Sequence, residues 1–436
     1  MYDTVAGHTG ILVGVSLVVL YLTYYLLQVA KKPVLICGEG EFREFLERSL
    51  PLLHRRHWST PWCAGGRMQT ALGGLLRSRI VPPVSWEREL LALQDGGTAA
   101  LLWGPRPARA RGTLLLLPGL AGGARADYLR LLAAAAERLR LRAAVLLPRG
   151  RGAPLTSPRL FSAVSQADAG AAVAALRARG AGPVLGAGVS LGGLLLANLA
   201  AERGAECGLA GALLLSAPLD VPAADACLAR ERLLSRHMAA GLRAAVARHP
   251  ELAERHGPGW RAARSVREFD AAFTSPHFGF ADVDAYYRAA TPRLAAVRVP
   301  VLAVLAADDP LQPARALPRA AVEGARRVAV LQTARGGHAG WLTGWWPARD
   351  PARHFMTILN ALRVVLQTTP KYFGHLLNKG TSHPLYLPQC TMAHSLRPQV
   401  LKCAICFPIT FTLRFCQAHK VVPIPTLLLW LQLIQI

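Results

Sequence analysis

Short apolar runs recur through the middle of this chain at intervals that leave room for one helix each. They are "GTLLLLP" (112–118), "AAVLL" (143–147), "PVLGA" (183–187), "GALLL" (211–215), "VPVLAVL" (299–305) and "RVAVLQ" (327–332). Between them lie stretches with helical character at 125–140, 165–179, 190–204 and 314–325. Near-continuous apolar strands separated by helices are buried on both faces, which predicts a mostly parallel sheet with helices on each side, an α/β fold. The rhythm breaks between about 221 and 298, where a long helix-rich segment holds "REFDAAFTSPHFGFADVDAYY". An insertion between two sheet strands is positioned to form a cap over a site.

"GAGVSLGGLL" (186–195) carries one polar side chain, Ser190, among glycines and aliphatics. It follows the run "PVLGA" and opens the helix "LGGLLLANLAAE". Gly188-x-Ser190-x-Gly192 between a strand and a helix has the pattern of a nucleophile elbow, a sharp turn that lifts a serine hydroxyl above a sheet. Small residues two positions away on each side avoid clashes at such a turn. The helix start behind it offers free N–H groups.

A serine hydroxyl is a weak nucleophile and needs a base that is itself oriented by an acid. In this fold the chain order is serine, acid, histidine. "AADDPLQP" follows the run at 299–305 and supplies Asp308 and Asp309; "ARGGHAGW" follows the last run and supplies His338. Asp309, followed directly by Pro310, is the preferred acid, with Asp308 beside it as the alternative and Asp220 in "SAPLD" as a third candidate. Donors for a developing oxyanion are also required. The N–H groups of Leu120, in "LLPGLAGG", and of Leu191, just after the serine, are the expected pair.

The chain begins with a second constraint. From Gly10 to Ala30 it runs "GILVGVSLVVLYLTYYLLQVA" without a charge. About 21 residues at ~1.5 Å each match the hydrocarbon thickness of a bilayer. The run is too long for the core of a cleaved signal peptide, and the start carries Asp3 and no basic residue. It is read as an uncleaved single-pass anchor, preceded by a stub at 1–9. It carries none of the triad candidates, so its expected role is placement. Lys31 and Lys32 follow it, which favours the cytoplasm for the body of the protein. Residues 31–90 are read as a lead-in containing "WSTPWCAGG", and 91–368 as the catalytic domain.

The formal net charge is +24 over 436 residues, and almost all of the cationic excess is arginine. The arginines are dispersed without interleaved aromatics and form no zinc-finger, RNP or basic-zipper pattern, so no nucleic-acid partner is expected. Eight cysteines show no disulfide-framework spacing. Cys403 and Cys406 form a lone C-x-x-C without a completing pair, so no metal site is expected. After about Thr368 the alanine–arginine bias vanishes, and 369–436 is read as an atypical tail with little order.

Taken in order, "TPWCAGGRMQT", "LLPGLAGG", "GVSLGG", "REFDAAFTSPHFGF", "AADDP" and "ARGGHAGWL" resemble the α/β-hydrolase superfamily. More narrowly they resemble its membrane-anchored AB-hydrolase-4 family, in the branch of α/β-hydrolase domain-containing proteins one and three. The resemblance runs from the anchor to about residue 366. It implies an α/β-hydrolase fold and ester hydrolysis on glycerolipids of phospholipase or monoacylglycerol-lipase type. It carries the nucleophile to Ser190, the acid to Asp309 and the base to His338, with no cofactor. The same triad also serves acyltransferases, and a non-catalytic binding protein is the third reading. The implied location is an endomembrane such as the endoplasmic reticulum, and the family also admits a domain on the lumenal side. Where the family reads Asn-Arg-Gly after its fourth strand, this chain has Pro148-Arg149-Gly150, in a loop expected to line the site.

Overall fold

The computed structural model describes residues 2–368 apart from Ala121, Ala181, Trp346 and 348–350, with backbone alone at 2–9 and 351–357. The tail 369–436, with Cys403 and Cys406, lies outside the described residues. Nine strands form one sheet: β1 (Val34–Ile36), β2 (Glu87–Ala92), β3 (Thr98–Trp103), β4 (Gly112–Leu117), β5 (Leu141–Leu147), β6 (Val184–Val189), β7 (Gly211–Leu215), β8 (Val301–Ala306) and β9 (Val328–Thr333). Their order is β1-β9-β8-β7-β6-β4-β5-β3-β2. The run from β5 through β4 and β6 to β9 is parallel. β3 pairs antiparallel with β5, β2 antiparallel with β3, and β1 antiparallel with β9.

The central strands β4, β6, β7 and β8 are buried along their whole length, as expected of apolar strands covered on both faces. Alternation along β4 divides the core. Leu114 and Leu116 pack with Leu129, Leu132 and Leu362 on one face, and Leu115 and Leu117 pack with Leu176, Leu196 and Leu199 on the other. The helices Asp127–Arg138 and Pro351–Gln367 thus cover one side, and Gln166–Ala178 and Leu191–Arg203 the other. Between β7 and β8 a helical insertion builds its own small core around Trp260, Phe269, Phe273 and Leu252.

Residues 31–90 do more than lead in. They supply β1, which extends the sheet past β9, the strand β2 at the opposite edge, and the helix Gly66–Ile80. β2 and β3 were not among the apolar runs. β2 reads "ERELLA", is partly exposed along its length and sits at the sheet edge, so charges stud it. The helix expected over 314–325 is instead a single 3₁₀ turn, Ala314–Ala316, and a short helix, Arg319–Glu323. Pro318 forces Leu317 into extended backbone (φ −78°, ψ 124°) and interrupts the pattern.

At the N-terminus a helix spans Tyr2–Tyr24 and continues as one π turn to Val29. Its segment Gly10–Val29 has a mean hydropathy of 2.1 and is 6% buried, so it is long and apolar enough to cross a membrane.

Candidate active site

β6 delivers Ser190 at its C-terminal end. The residue has φ 54° and ψ −119°, a conformation that L-residues rarely adopt. Its amide donates to the carbonyl of Leu215 on β7 (2.8 Å), and its carbonyl accepts from Leu194 in the first turn of the helix (3.0 Å). The flanking glycines are required by contact. A Cβ on Gly188 would stand 2.4 Å from the Gly192 carbonyl carbon, and one on Gly192 would stand 2.2 Å from the Leu117 carbonyl oxygen. The strand and helix can meet at this angle only without those side chains.

β8 ends in Asp308 and Asp309, and the two carboxylates do different things. Asp309 is 1% exposed. It faces the His338 ring, with Nδ1 at 2.9 Å from Oδ2 and 3.2 Å from Oδ1. Its Oδ1 also accepts from the amides of Leu311 (2.8 Å) and Gln312 (3.2 Å). The carboxylate is therefore held by its own loop in the position that orients the imidazole. Asp308 turns the other way. Its Oδ1 accepts from the amides of Gly336 (2.9 Å) and Gly337 (3.0 Å), just before His338, and its Oδ2 lies 3.7 Å from Arg335. Burial pushes the Asp308 carboxyl above its ordinary value, against the pull of those amides. Asp220, the third candidate, caps the helix Val221–Leu228 by accepting from the amide of Ala223 (2.9 Å). It contacts no histidine in that role.

The loop carrying His338 is held by residues that the sequence did not single out. The His338 amide donates to Thr70 Oγ1 (2.8 Å), and the Ala339 amide donates to Ser216 Oγ (2.9 Å). Gln69, fully buried, accepts from the Leu342 amide (2.7 Å) and donates to the Cys63 carbonyl (2.7 Å). Arg77 donates to the Gly340 carbonyl and pairs with Asp127 (2.7 Å). All of Gln69, Thr70 and Arg77 come from the one helix Gly66–Ile80. The only available signal was "GGRMQT" itself, of whose polar residues Gln69 and Thr70 turn inward while Arg67 is exposed. Of the non-glycine residues with positive φ among those described, Ser190, Ser216, Ala339 and Trp341 all belong to this region. Such conformations persist where the surroundings over-determine them.

Gly66 begins that helix against Asp308. A Cβ there would stand 1.9 Å from the Asp308 carbonyl oxygen and 2.9 Å from its Cγ. Gly66→Ala is therefore expected to displace either the helix or the Asp308–Asp309 turn. Activity on a soluble ester should fall at least tenfold and the melting temperature by several degrees; wild-type values for both would show that the turn can yield.

Ser190 and His338 line one cavity of about 150 Å³, with Leu120 and Leu191 beside the serine. Its remaining wall is mainly apolar, with Leu194, Val221, Leu228, Met238, Leu242 and Leu311. The Gly119 amide donates to the Tyr128 hydroxyl (3.1 Å), which leaves Leu120 as the next amide in the turn. The loop after β5 lines this cavity through Phe161, Ser162 and Ala163, whereas Pro148, Arg149 and Gly150 at its start do not. Arg149 is turned inward, paired to both oxygens of Asp168 (2.7 and 2.6 Å) and to Asp95 (2.6 Å). The loop thus reaches the site as expected, but by its later residues, while the Arg149 guanidinium holds the fold together.

The cap contributes one buried carboxyl to the cavity wall. Asp270 accepts from Thr274 Oγ1 (2.6 Å) and the Tyr287 hydroxyl (3.0 Å), and burial pushes it up to about 6. The folded protein retains a proton there that an unfolded chain, titrating near 3.8, has released. Its stabilising contribution is complete below pH 3.8 and is lost as pH rises through about 6. The melting temperature should fall by several degrees across that window. The fall should flatten in Asp270→Asn, and an unchanged slope in the variant would place the titration elsewhere.

The sequence is similar to those of known proteins. Residues 114–353 match the family described as the alpha/beta hydrolase family. Phospholipase ABHD3 of Mus musculus is 35% identical over 78% of this chain and 87% of its own length. The Homo sapiens protein of the same name is 34% identical over 79% of this chain and 88% of its own. A putative esterase, YheT, of Escherichia coli K12 is 30% identical over 65% of this chain and 88% of its own. The sheet order, the turn at Ser190 and these similarities agree: the chain belongs to the alpha/beta hydrolase family.

Proposed function

We propose that this protein is a membrane-anchored serine hydrolase that cleaves carboxylic esters of lipids. The observation that carries the reading is the Asp309–His338 pair opening into the same apolar cavity as Ser190. In this scheme Ser190 Oγ attacks the ester carbonyl carbon while His338 Nε2 takes its proton. Asp309 holds Nδ1–H and stabilises the imidazolium. The amides of Leu120 and Leu191 receive the carbonyl oxygen as it becomes anionic. Collapse expels the alcohol, protonated by His338, and leaves an acyl-serine. Water, deprotonated by the same histidine, then releases the fatty acid and restores the enzyme. No metal or redox group enters these steps.

The substrate class rests on three supports: the apolar cavity, the membrane-length helix, and two relatives that are themselves named phospholipases. An endomembrane location and a single-pass topology are part of the same proposal. The test is incubation of purified protein with glycerophospholipid and monoacylglycerol vesicles, with and without an added alcohol. Free fatty acid as the main product supports hydrolysis. Ester of the added alcohol as the main product would make the protein an acyltransferase.

The anchor's role can be separated from the fold by cutting before Tyr21, because Tyr25 is buried against the body and Tyr21 and Tyr24 also touch it. A chain lacking residues 2–20 should hydrolyse p-nitrophenyl butyrate within about twofold of the full-length rate, and vesicle lipid at least tenfold more slowly. Equal loss of both activities in folded protein would make the apolar run part of the catalytic unit.

A further inference from the structure

The last turns of the N-terminal helix do not stand clear of the catalytic body. The Tyr21 hydroxyl donates to the Pro61 carbonyl and the Tyr25 hydroxyl to the Ser59 carbonyl. The Tyr25 ring lies 6.1 Å from that of Trp58. Arg335 reaches the Tyr24 hydroxyl (2.8 Å), and Arg56 caps the helix at the Leu26 (2.9 Å) and Ala30 (3.1 Å) carbonyls. Helix and body therefore overlap from Tyr21 to Val29, ~12 Å along the axis at ~1.5 Å per residue.

That overlap fixes depth. The span Gly10–Val29 has 20 residues, ~30 Å of helix, which equals the hydrocarbon thickness of a bilayer. A helix seated in the bilayer by this span brings the body residues beside its last turns to the membrane–water boundary, out of bulk water. Those residues are aromatic and exposed: Trp58 is 50% exposed, Trp62 40% and Trp345 64%. They form one patch. The Trp62 indole donates to the Trp345 carbonyl (2.7 Å), and Ser59, next to Trp58, bridges to Thr343. Lys31, Lys32 and Arg55 are exposed, and the Lys31 carbonyl accepts from the amide of His57, next to Trp58 (2.8 Å). Tryptophan flanked by cations is the composition of a membrane–water interface. Large exposed aromatics are otherwise disfavoured on a soluble surface.

We propose that Trp58, Trp62 and Trp345 form a second membrane contact, seated in the headgroup region of the same bilayer that the helix crosses. The helix alone would leave the body free to swing. Three tryptophans on one side of it fix the orientation. Trp345 also continues the chain segment 338–342 that is held by Thr70 and Gln69, so the seated face and the His338 loop are parts of one rigid support. The patch thus holds the site in a constant attitude to the lipid surface. The inference rests on the reading of the helix as a membrane span.

The test uses the full chain reconstituted in phosphatidylcholine–phosphatidylserine vesicles that carry a nitroxide lipid labelled either near the headgroup or deep in the acyl chain. Single variants Trp58→Phe, Trp62→Phe, Trp345→Phe and Trp260→Phe are compared with the parent. Each difference in emission is the fluorescence of the tryptophan removed. The first three should be quenched at least twofold by the shallow label and less by the deep one, and Trp260, buried in the cap, by neither. An absence of quenching at 58, 62 and 345, in protein that resists an alkaline wash, would overturn the contact while leaving the span intact. Release of the protein by that wash would overturn the span reading and the contact with it. Hydrolysis of a soluble ester, measured on the same samples, reports independently on the catalytic reading.

Discussion

Ser190→Ala is expected to abolish ester hydrolysis and covalent labelling by a fluorophosphonate probe while leaving the fold as it is. The side chain makes no hydrogen bond that the elbow depends on: the turn is held by the backbone amide to Leu215 and the backbone carbonyl to Leu194. Alanine keeps the Cβ, so the conformation at φ 54° is no more strained than before. The melting temperature should therefore stay within a degree or two. The rate should fall by ~10⁶, the scale at which a nucleophile's loss leaves only residual catalysis from binding and the oxyanion donors. The probe is informative because it reacts only with an activated serine. Labelling of the alanine variant at the parent's rate would place the nucleophile elsewhere, whatever happened to the ester assay.

The serine was legible because three separate constraints fall on one pentapeptide. The strand before it is apolar, the helix after it is short-sided, and both flanking positions collide with backbone if anything larger than hydrogen is attached. The histidine and the acid pair were legible for a weaker reason, their place in loops after apolar runs. Other features could not be read. β2 sits at a sheet edge, where a strand has no need of an apolar run. The helix Gly66–Ile80 contributes through Gln69, Thr70 and Arg77, polar residues whose partners are about 270 positions away in the chain. Periodicity is a local signal and cannot show such pairings. Pro318 broke a helix pattern that the surrounding alanines had suggested. The loop after β5 was expected at the site and reaches it through Phe161, Ser162 and Ala163, but Arg149 at its start is buried against two aspartates and has a structural task. The preference for Asp309 over its neighbour rested only on the proline after it, and the structure does turn Asp309 to the His338 ring. Two carboxylates one residue apart point in different directions, and only the turn decides which faces the ring.

That turn sets up the second large effect. Asp309→Asn is expected to lower kcat on a soluble ester by ~10⁴, the loss that follows when a triad acid becomes an amide. The asparagine oxygen can still accept from the Leu311 and Gln312 amides, so the loop should keep its shape. The amide nitrogen would then face His338 Nδ1 and donate to it. This favours the tautomer with its proton on Nε2, which cannot accept a proton from Ser190. Binding is untouched, so KM should move little. Asp308 supplies the contrast. In Asp308→Asn the oxygen can still receive the Gly336 and Gly337 amides, and activity should stay within about fivefold of the parent. In Asp308→Ala both amides lose their acceptor, at a cost of ~1–3 kcal/mol for each buried donor left unpaired. The His338 loop then loses one of its supports, and activity and melting temperature should fall together. The two positions thus separate by substitution pattern: at 309 the amide is nearly as damaging as alanine, and at 308 the amide rescues. The reverse pattern would make Asp308 the acid, with Asp309 as the buttress of the loop.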